Sequence, residues 1–243
     1  MEIRLNKYLS EAGVCSRREA DRLIESGRVT VDGKRAETGM KITQSQVVRV
    51  GKKEIRPKNE MVLLAVNKPV GVVCTEEKRE KNNIIKFLNY PTRITYIGRL
   101  DKDSQGLLLM TNNGDIINKM MRSGNQHEKE YQVTVNKPIT PEFIEKMASG
   151  VPILDTVTRK CQVEMVGKYK FRIVLTQGLN RQIRRMCEYL GYKVTQLQRV
   201  RVMNIELGNL KPGEYRKVTD AEIAELYELI KDSSNETVIL GEE

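Results

Sequence analysis

Apolar residues recur along this chain with two periods, and the changes of period mark its elements. Leu5, Tyr8, Leu9 and Ala12 follow helical spacing, which Gly13 closes. Ser16-Arg17-Arg18-Glu19 has capping-box spacing, in which the Ser16 side chain takes the Glu19 amide. It opens a second helix with Ala20, Leu23 and Ile24 inward, and Gly27 stops it. Val29-Thr30-Val31 alternates as a strand, and Asp32-Gly33 turns it back through Lys34-Arg35-Ala36. Residues 51–60 are charged, hold Pro57 and lack a period, so they read as a linker. The pattern predicts a small α/β unit with its linker over residues 1–58 and a larger domain over 59–243.

The larger part mixes strands and helices. Met61 to Asn67 reads as an apolar strand ended by the turn Lys68-Pro69-Val70-Gly71. Residues 76–82 are nearly all charged and read as a mobile loop. Short strands are predicted at Ile94 to Ile97 and Leu107 to Thr111, and Asn112-Asn113-Gly114 turns into a helix carrying Ile116, Ile117, Met120 and Met121. In the strand Glu128 to Val135, Tyr131, Val133 and Val135 share a face. Pro141 opens another helix, and Thr158–Val166 pairs with Tyr169–Thr176 around Gly167. Gly178 to Gly191 reads as a helix that buries Ile183, Met186, Cys187 and Leu190, with Arg181, Arg184, Arg185 and Glu188 opposite. Lys193 to Leu207 is a long strand region with Arg199 and Arg201 on one side. Thr219 caps a final helix to about Lys231, and residues 232–243 read as frayed. The fold class is α+β.

Charge changes this picture most. The 243 residues carry a net charge of +10, which favours a polyanionic partner. Residues 1–58 hold 14 basic and 8 acidic residues, against 28 and 24 in the remainder. Aromatic residues make up 5% and tryptophan is absent, which argues against an extended base-stacking platform. Cys15, Cys74, Cys161 and Cys187 are far apart in sequence and His127 is the one histidine, so no zinc spacing exists. No apolar run approaches the ~20 residues of a membrane span. A cytoplasmic chain working without metal or cofactor, away from membranes and as a monomer, is expected.

Two places could carry chemistry. Asp101 lies in Gly98-Arg99-Leu100-Asp101-Lys102-Asp103-Ser104-Gln105-Gly106, between two core strands. A carboxylate there is held firmly yet is reachable, as catalysis requires. A turn aspartate bonded to its own backbone has the same pattern. Arg181, Arg184 and Arg185 repel one another at i, i+3 and i+4 spacing, which an anionic partner would relieve; a solvated basic helix is the alternative. No phosphate-cradling glycine loop supports a sugar or phosphate enzyme.

Three phrases resemble a known family. Gly98-Arg99-Leu100-Asp101 with Gly106 to Asn112, Lys129-Glu130-Tyr131, and Asn180 to Met186 look like the three motifs of the pseudouridine synthases that act on bacterial ribosomal RNA. Asn67-Lys68-Pro69-Val70-Gly71 resembles that family's entry turn. Asp101–Gly106 with Asn180–Met186 narrows the likeness to the F-type branch, whose substrate is the large ribosomal RNA. Arg4–Leu9, Cys15–Asp21 and Gly27–Gly33 resemble the S4 RNA-binding domain. The resemblance implies an S4-type domain joined to a catalytic domain built on a mixed, antiparallel-rich sheet. It implies isomerisation of a uridine in structured RNA, with 23S ribosomal RNA or a pre-ribosomal particle as first partner and a tRNA as second candidate. Asp101 would be the essential carboxylate, Tyr131 would lie beside the target base, and Arg184 would pair with Asp101. Arg99 would fill the space left by the everted base. Attack at C1′, attack at C6 and assisted departure of uracil stay open. RNA contacts are expected from Arg4, Lys7, Arg17, Arg18, Arg22 and Arg28 of the small unit, and from Arg99, Arg181 and Arg185. A non-catalytic S4-type ribosome- or RNA-binding factor is the competing reading.

Overall fold

The computed structural model describes residues 2–56, 60–77, 79–121 and 126–233. The predicted fraying at residues 232–243 falls mainly outside them, as does Lys78 of the charged loop. The chain forms two compact units. One comprises residues 1–62 with 90–95 and 111–114, and the other the remainder.

In the first unit, β1 (Ile3–Arg4) leads into α1 (Leu5–Glu11) and α2 (Arg17–Glu25), followed by β2 (Val29–Val31), β3 (Lys34–Arg35), β4 (Lys41–Ile42), β5 (Val48–Val50) and β6 (Lys53–Ile55). Ser16 accepts the Glu19 amide at 3.2 Å, as its spacing predicted. Leu5, Leu9, Ala20, Ile24, Val29, Val31, Ile42 and Val48 form one core. The expected linker begins too early, because Lys53–Ile55 pairs antiparallel with Val48–Val50 and extends that sheet. Ile55 is buried and its carbonyl accepts from the Tyr8 hydroxyl at 3.0 Å. One apolar residue among charges suffices for a strand when its neighbours supply the rest of the core.

The second unit contains the remaining elements, wholly or in all but a terminal residue: β7 (Leu63–Lys68), α3 (Ile84–Leu88), β8 (Thr95–Ile97), β9 (Gln105–Thr111), α4 (Gly114–Met121), β10 (Lys129–Val135), α5 (Pro141–Ser149), β11 (Pro152–Ile153), β12 (Thr156–Val157), β13 (Gln162–Gly167), β14 (Lys170–Leu175), α6 (Gln182–Tyr189), β15 (Val194–Val202), β16 (Ile205–Glu206), β17 (Tyr215–Lys217) and α7 (Asp220–Ile230). Its main sheet runs β13-β14-β10-β15-β9-β7-β17, with β16 on β15 and β8 on β9. Pairing is antiparallel through β13, β14, β10 and β15 but parallel between β15 and β9, which gives the expected mixed, antiparallel-rich sheet. Helices α5 and α6 bury Phe143, Met147, Ile183, Met186 and Cys187 among Val133, Phe171, Ile173 and Leu197 of the sheet.

Two local features position the site. Gly106 has φ +109°, and a Cβ there would stand 2.2 Å from the Arg199 carbonyl oxygen. Glycine therefore lets β9 and β15 meet. The β10–β15 ladder slips between Glu130 and Tyr131, so Glu130 faces Arg201 while Tyr131 faces Arg199. Val200 is the extra residue. Arg199 and Arg201 were expected on one side of the strand; the bulge sets them on opposite faces instead.

A candidate active-site cleft in the second unit

The loop from Gly98 to Ser104 forms part of the wall of a cleft of about 590 Å³ lined by Arg99, Asp101, Lys129, Tyr131, Arg181 and Arg199. The loop is fastened at several points. The Ser104 amide donates to the Asp101 carbonyl at 3.1 Å, and the Gly71 amide to the Lys102 carbonyl at 2.7 Å. Arg184 donates through Nη2 to the Asp103 carbonyl at 2.9 Å and to the Ser104 hydroxyl at 3.3 Å. With its backbone engaged, the loop presents the Asp101 carboxylate at 37% exposure, held but open to a ligand.

The ion pairs differ from the expectation. Arg181 forms a fork on Asp103, Nη1 to Oδ1 at 3.1 Å and Nη2 to Oδ2 at 3.0 Å, and its Nη1 lies 3.7 Å from Asp101 Oδ2. Arg184 reaches Asp103 Oδ2 at 3.4 Å through Nε. Arg184 thus pairs with Asp103, and the guanidinium beside Asp101 belongs to Arg181. The reason is local geometry. Arg181 caps α6 in the left-handed region, φ 49° and ψ 35°, and swings over the loop, whereas Arg184 sits one turn deeper. The Arg181 fork, first among the causes, holds the Asp103 carboxyl below its ordinary range. Nor is the arginine face of α6 uniformly solvated. Arg184 is buried, while Arg185 bonds back to Asn180 at 3.1 Å and 3.2 Å.

Three cations near this loop were given no role by sequence reasoning. Lys68 is fully buried, and its ammonium donates to the Pro69 and Val72 carbonyls at 2.9 Å and 2.7 Å. Burial lowers its pKa, with Asp101 and Asp103 acting against the shift. Arg199 is 2% exposed and donates through Nε to the Leu107 carbonyl at 2.7 Å, but its Nη2 is buried without a partner. Lys129 donates to the His127 carbonyl at 3.1 Å, and burial, then the charge of Arg199, pushes its pKa down to about 8. One signal pointed to Lys129: it lies two residues before Tyr131, so the two share a strand face. Arg199 gave none, because its face depends on the bulge.

Tyr131 is half-buried against the sheet core at the cleft wall, and Arg99 is exposed at the rim. In the first unit Arg4, Arg17, Arg18, Arg22 and Arg28 are exposed, and Lys7 pairs with Glu11 at 3.6 Å. Among the described residues no group of three or more His, Cys, Asp or Glu could hold a metal, and no helix is long and apolar enough to cross a membrane.

A family model described as RNA pseudouridylate synthase matches residues 62–189 and so takes in the cleft loop, Tyr131 and both α6 arginines. The chain belongs to the RNA pseudouridine synthase family. An S4 domain model matches residues 3–48 of the same synthase. The synthase is 57% identical over 235 residues to the dual-specificity RNA pseudouridine synthase RluF of Salmonella typhi, which covers 96% of this chain and 81% of the relative. It is 33% identical over 241 residues to the ribosomal large subunit pseudouridine synthase B of Bacillus subtilis, covering 96% and 98%. A crystal structure of a pseudouridylate synthase superposes with a TM-score of 0.68 at 28% identity, covering 92% of this synthase and 99% of the other chain.

Proposed function

We propose that this RNA pseudouridine synthase acts on a uridine everted from structured ribosomal RNA, with Asp101 as its essential carboxylate. The reading is carried by one observation: a one-third exposed carboxylate on a fastened loop, 3.7 Å from a guanidinium, lining a cleft that also holds a tyrosine. Isomerisation breaks the N1–C1′ bond, turns the uracil and joins C5 to C1′, with no net gain or loss of atoms. Asp101 acts as a carboxylate, and the Arg181 guanidinium lies 3.7 Å from it. Arg184 serves by holding the loop. Tyr131 flanks the base, and Arg99 at the rim occupies the space left in the RNA; leaving the stack costs the base a few kcal/mol.

We assign residues 1–58 to RNA docking through the exposed arginines of α2, reading shape and phosphate. Residues 59–243 then form the catalytic domain. The name of the Bacillus subtilis relative supports the large ribosomal RNA as substrate, and the dual specificity in the name of the Salmonella typhi relative supports a second RNA, for which a tRNA is the candidate. A monomer working in the cytoplasm completes the reading.

Carbodiimide mapping of ribosomal and transfer RNA from a strain lacking the gene tests it. One or more pseudouridine positions should vanish and return with the parent gene, but not with Asp101→Asn. Unchanged maps in the deletion strain would reject this substrate class.

A further inference from the structure

Lys129 and Arg199 have no part in the reaction as proposed, although both line the cleft with Asp101 and Tyr131. Arg199 stands directly across the ladder from Tyr131, and Lys129 precedes Tyr131 by two residues on the same face of β10. The acids flanking Lys129 are committed elsewhere. Glu130 is held by Arg172 at 2.7 Å and by Arg201 at 2.9 Å, and Glu128 by Arg201 at 3.0 Å. Two cations therefore share the cleft wall, and one nitrogen of the more buried cation lacks any partner. Like charges placed together and desolvated cost stability. Such an arrangement fits an anion that exists only during turnover.

Resting on the proposed reaction, we infer that Lys129 is a further catalytic residue, whose ammonium donates to a uracil carbonyl oxygen as negative charge develops on the ring, with Arg199 positioned behind it. Either order of events creates that charge. If the N1–C1′ bond breaks first, its electron pair leaves with the uracil and spreads onto the carbonyl oxygens. If Asp101 first adds at C6, the C5–C6 pair moves onto O4 as an enolate. In both cases the ammonium keeps its proton, and the charge returns to carbon when C5 bonds to C1′. On the addition route the N1–C1′ bond breaks as C5 takes C1′. On both routes loss of the C5 proton restores the C5–C6 double bond, expelling the Asp101 carboxylate where it had added at C6, and N1 takes up a proton, so atoms and charge balance.

Arg199 from β15 is the charge that acts on Lys129 and the His127 carbonyl is its hydrogen-bond partner, while Tyr131, Asp101, Arg181, Arg99 and Lys102 line the same cleft. Because the ammonium must stay charged, the chemical rate should fall as pH rises past about 8.

The test uses the full chain and total RNA labelled with tritium at uracil C5, taken from cells lacking the gene. Single-turnover tritium release is followed from pH 6 to 10, the range spanning about 8, with RNA affinity measured in parallel. Lys129→Met should lower release about 100-fold with RNA affinity within about 2-fold of the parent, the signature of lost transition-state stabilisation. Lys129→Arg should keep about a tenth of the parent rate or more and lose the alkaline fall, since a guanidinium stays charged. Release within about 3-fold of the parent for Lys129→Met, or an unmoved alkaline fall in Lys129→Arg, overturns the proposal while the activity stands. No tritium release by the parent chain overturns the proposed reaction and this role together.

Discussion

Single residues set the limits of this site. Gly106 allows no side chain, because a Cβ would enter the Arg199 backbone at 2.2 Å. Gly106→Ala should part β9 from β15 and cost more than about 4 kcal/mol, seen as a collapse of the thermal transition. Lys129 makes the opposite prediction for stability. Its depression from 10.5 to about 8 corresponds to a burial cost of about 3 kcal/mol at neutral pH. The folded chain binds fewer protons between those values, so the cost is present below about pH 8 and fades as pH rises towards 10.5. Lys129→Met should therefore raise the melting temperature at pH 7, and the gain should shrink at pH 10; a loss of stability at pH 7 would contradict a burial cost at this lysine. Asp101 and the α6 arginines were legible as a loop carboxylate and a self-repelling basic run. Which arginine meets which carboxylate was not, because the left-handed backbone at Arg181 decides it and no local rule assigns that conformation to arginine.

Elements were read most securely where apolar period and capping residues agreed. Helix α7 is the clearest case. Thr219 accepts the Glu222 amide at 3.2 Å, Glu222 returns to the Thr219 amide at 2.9 Å, and Arg216 grips the same carboxylate with two bonds of 2.7 Å. Arg216, the largest cause, draws the Glu222 pKa down to about 2. The stability this supplies is complete above about 4.5 and is lost as pH falls through about 2. Glu222→Gln should cost about 2 kcal/mol at pH 7 and much less at pH 2, compared by denaturant unfolding. An equal loss at both values would remove the carboxylate from the explanation. The elements read wrongly had weak period and strong tertiary causes. Strand β6 hangs on Ile55 alone, and the bulge at Val200 in β15 leaves no trace in the alternation of side chains.

At the scale of the whole molecule, charge is concentrated. The first 58 residues carry 14 of the 42 basic side chains in under a quarter of the length. If Arg17, Arg18, Arg22 and Arg28 each neutralise a phosphate, replacing two of them with alanine should weaken RNA binding and reduce the slope of log affinity against log salt by about 1.5. An unchanged slope would place the RNA elsewhere. The S4 segment was legible because the basic excess, the short helices and the hairpin coincide in one stretch. The cleft was legible only in part, since its floor is assembled from strands far apart in sequence. Asp101 is the proposed essential carboxylate, and the most direct measurement is single-turnover pseudouridine formation by purified Asp101→Asn, with RNA affinity determined on the same RNA. Affinity within about 3-fold of the parent and no detectable product are predicted, the pattern of a lost nucleophile in an intact binding cleft. Product formed at a rate comparable to the parent would contradict that role for Asp101.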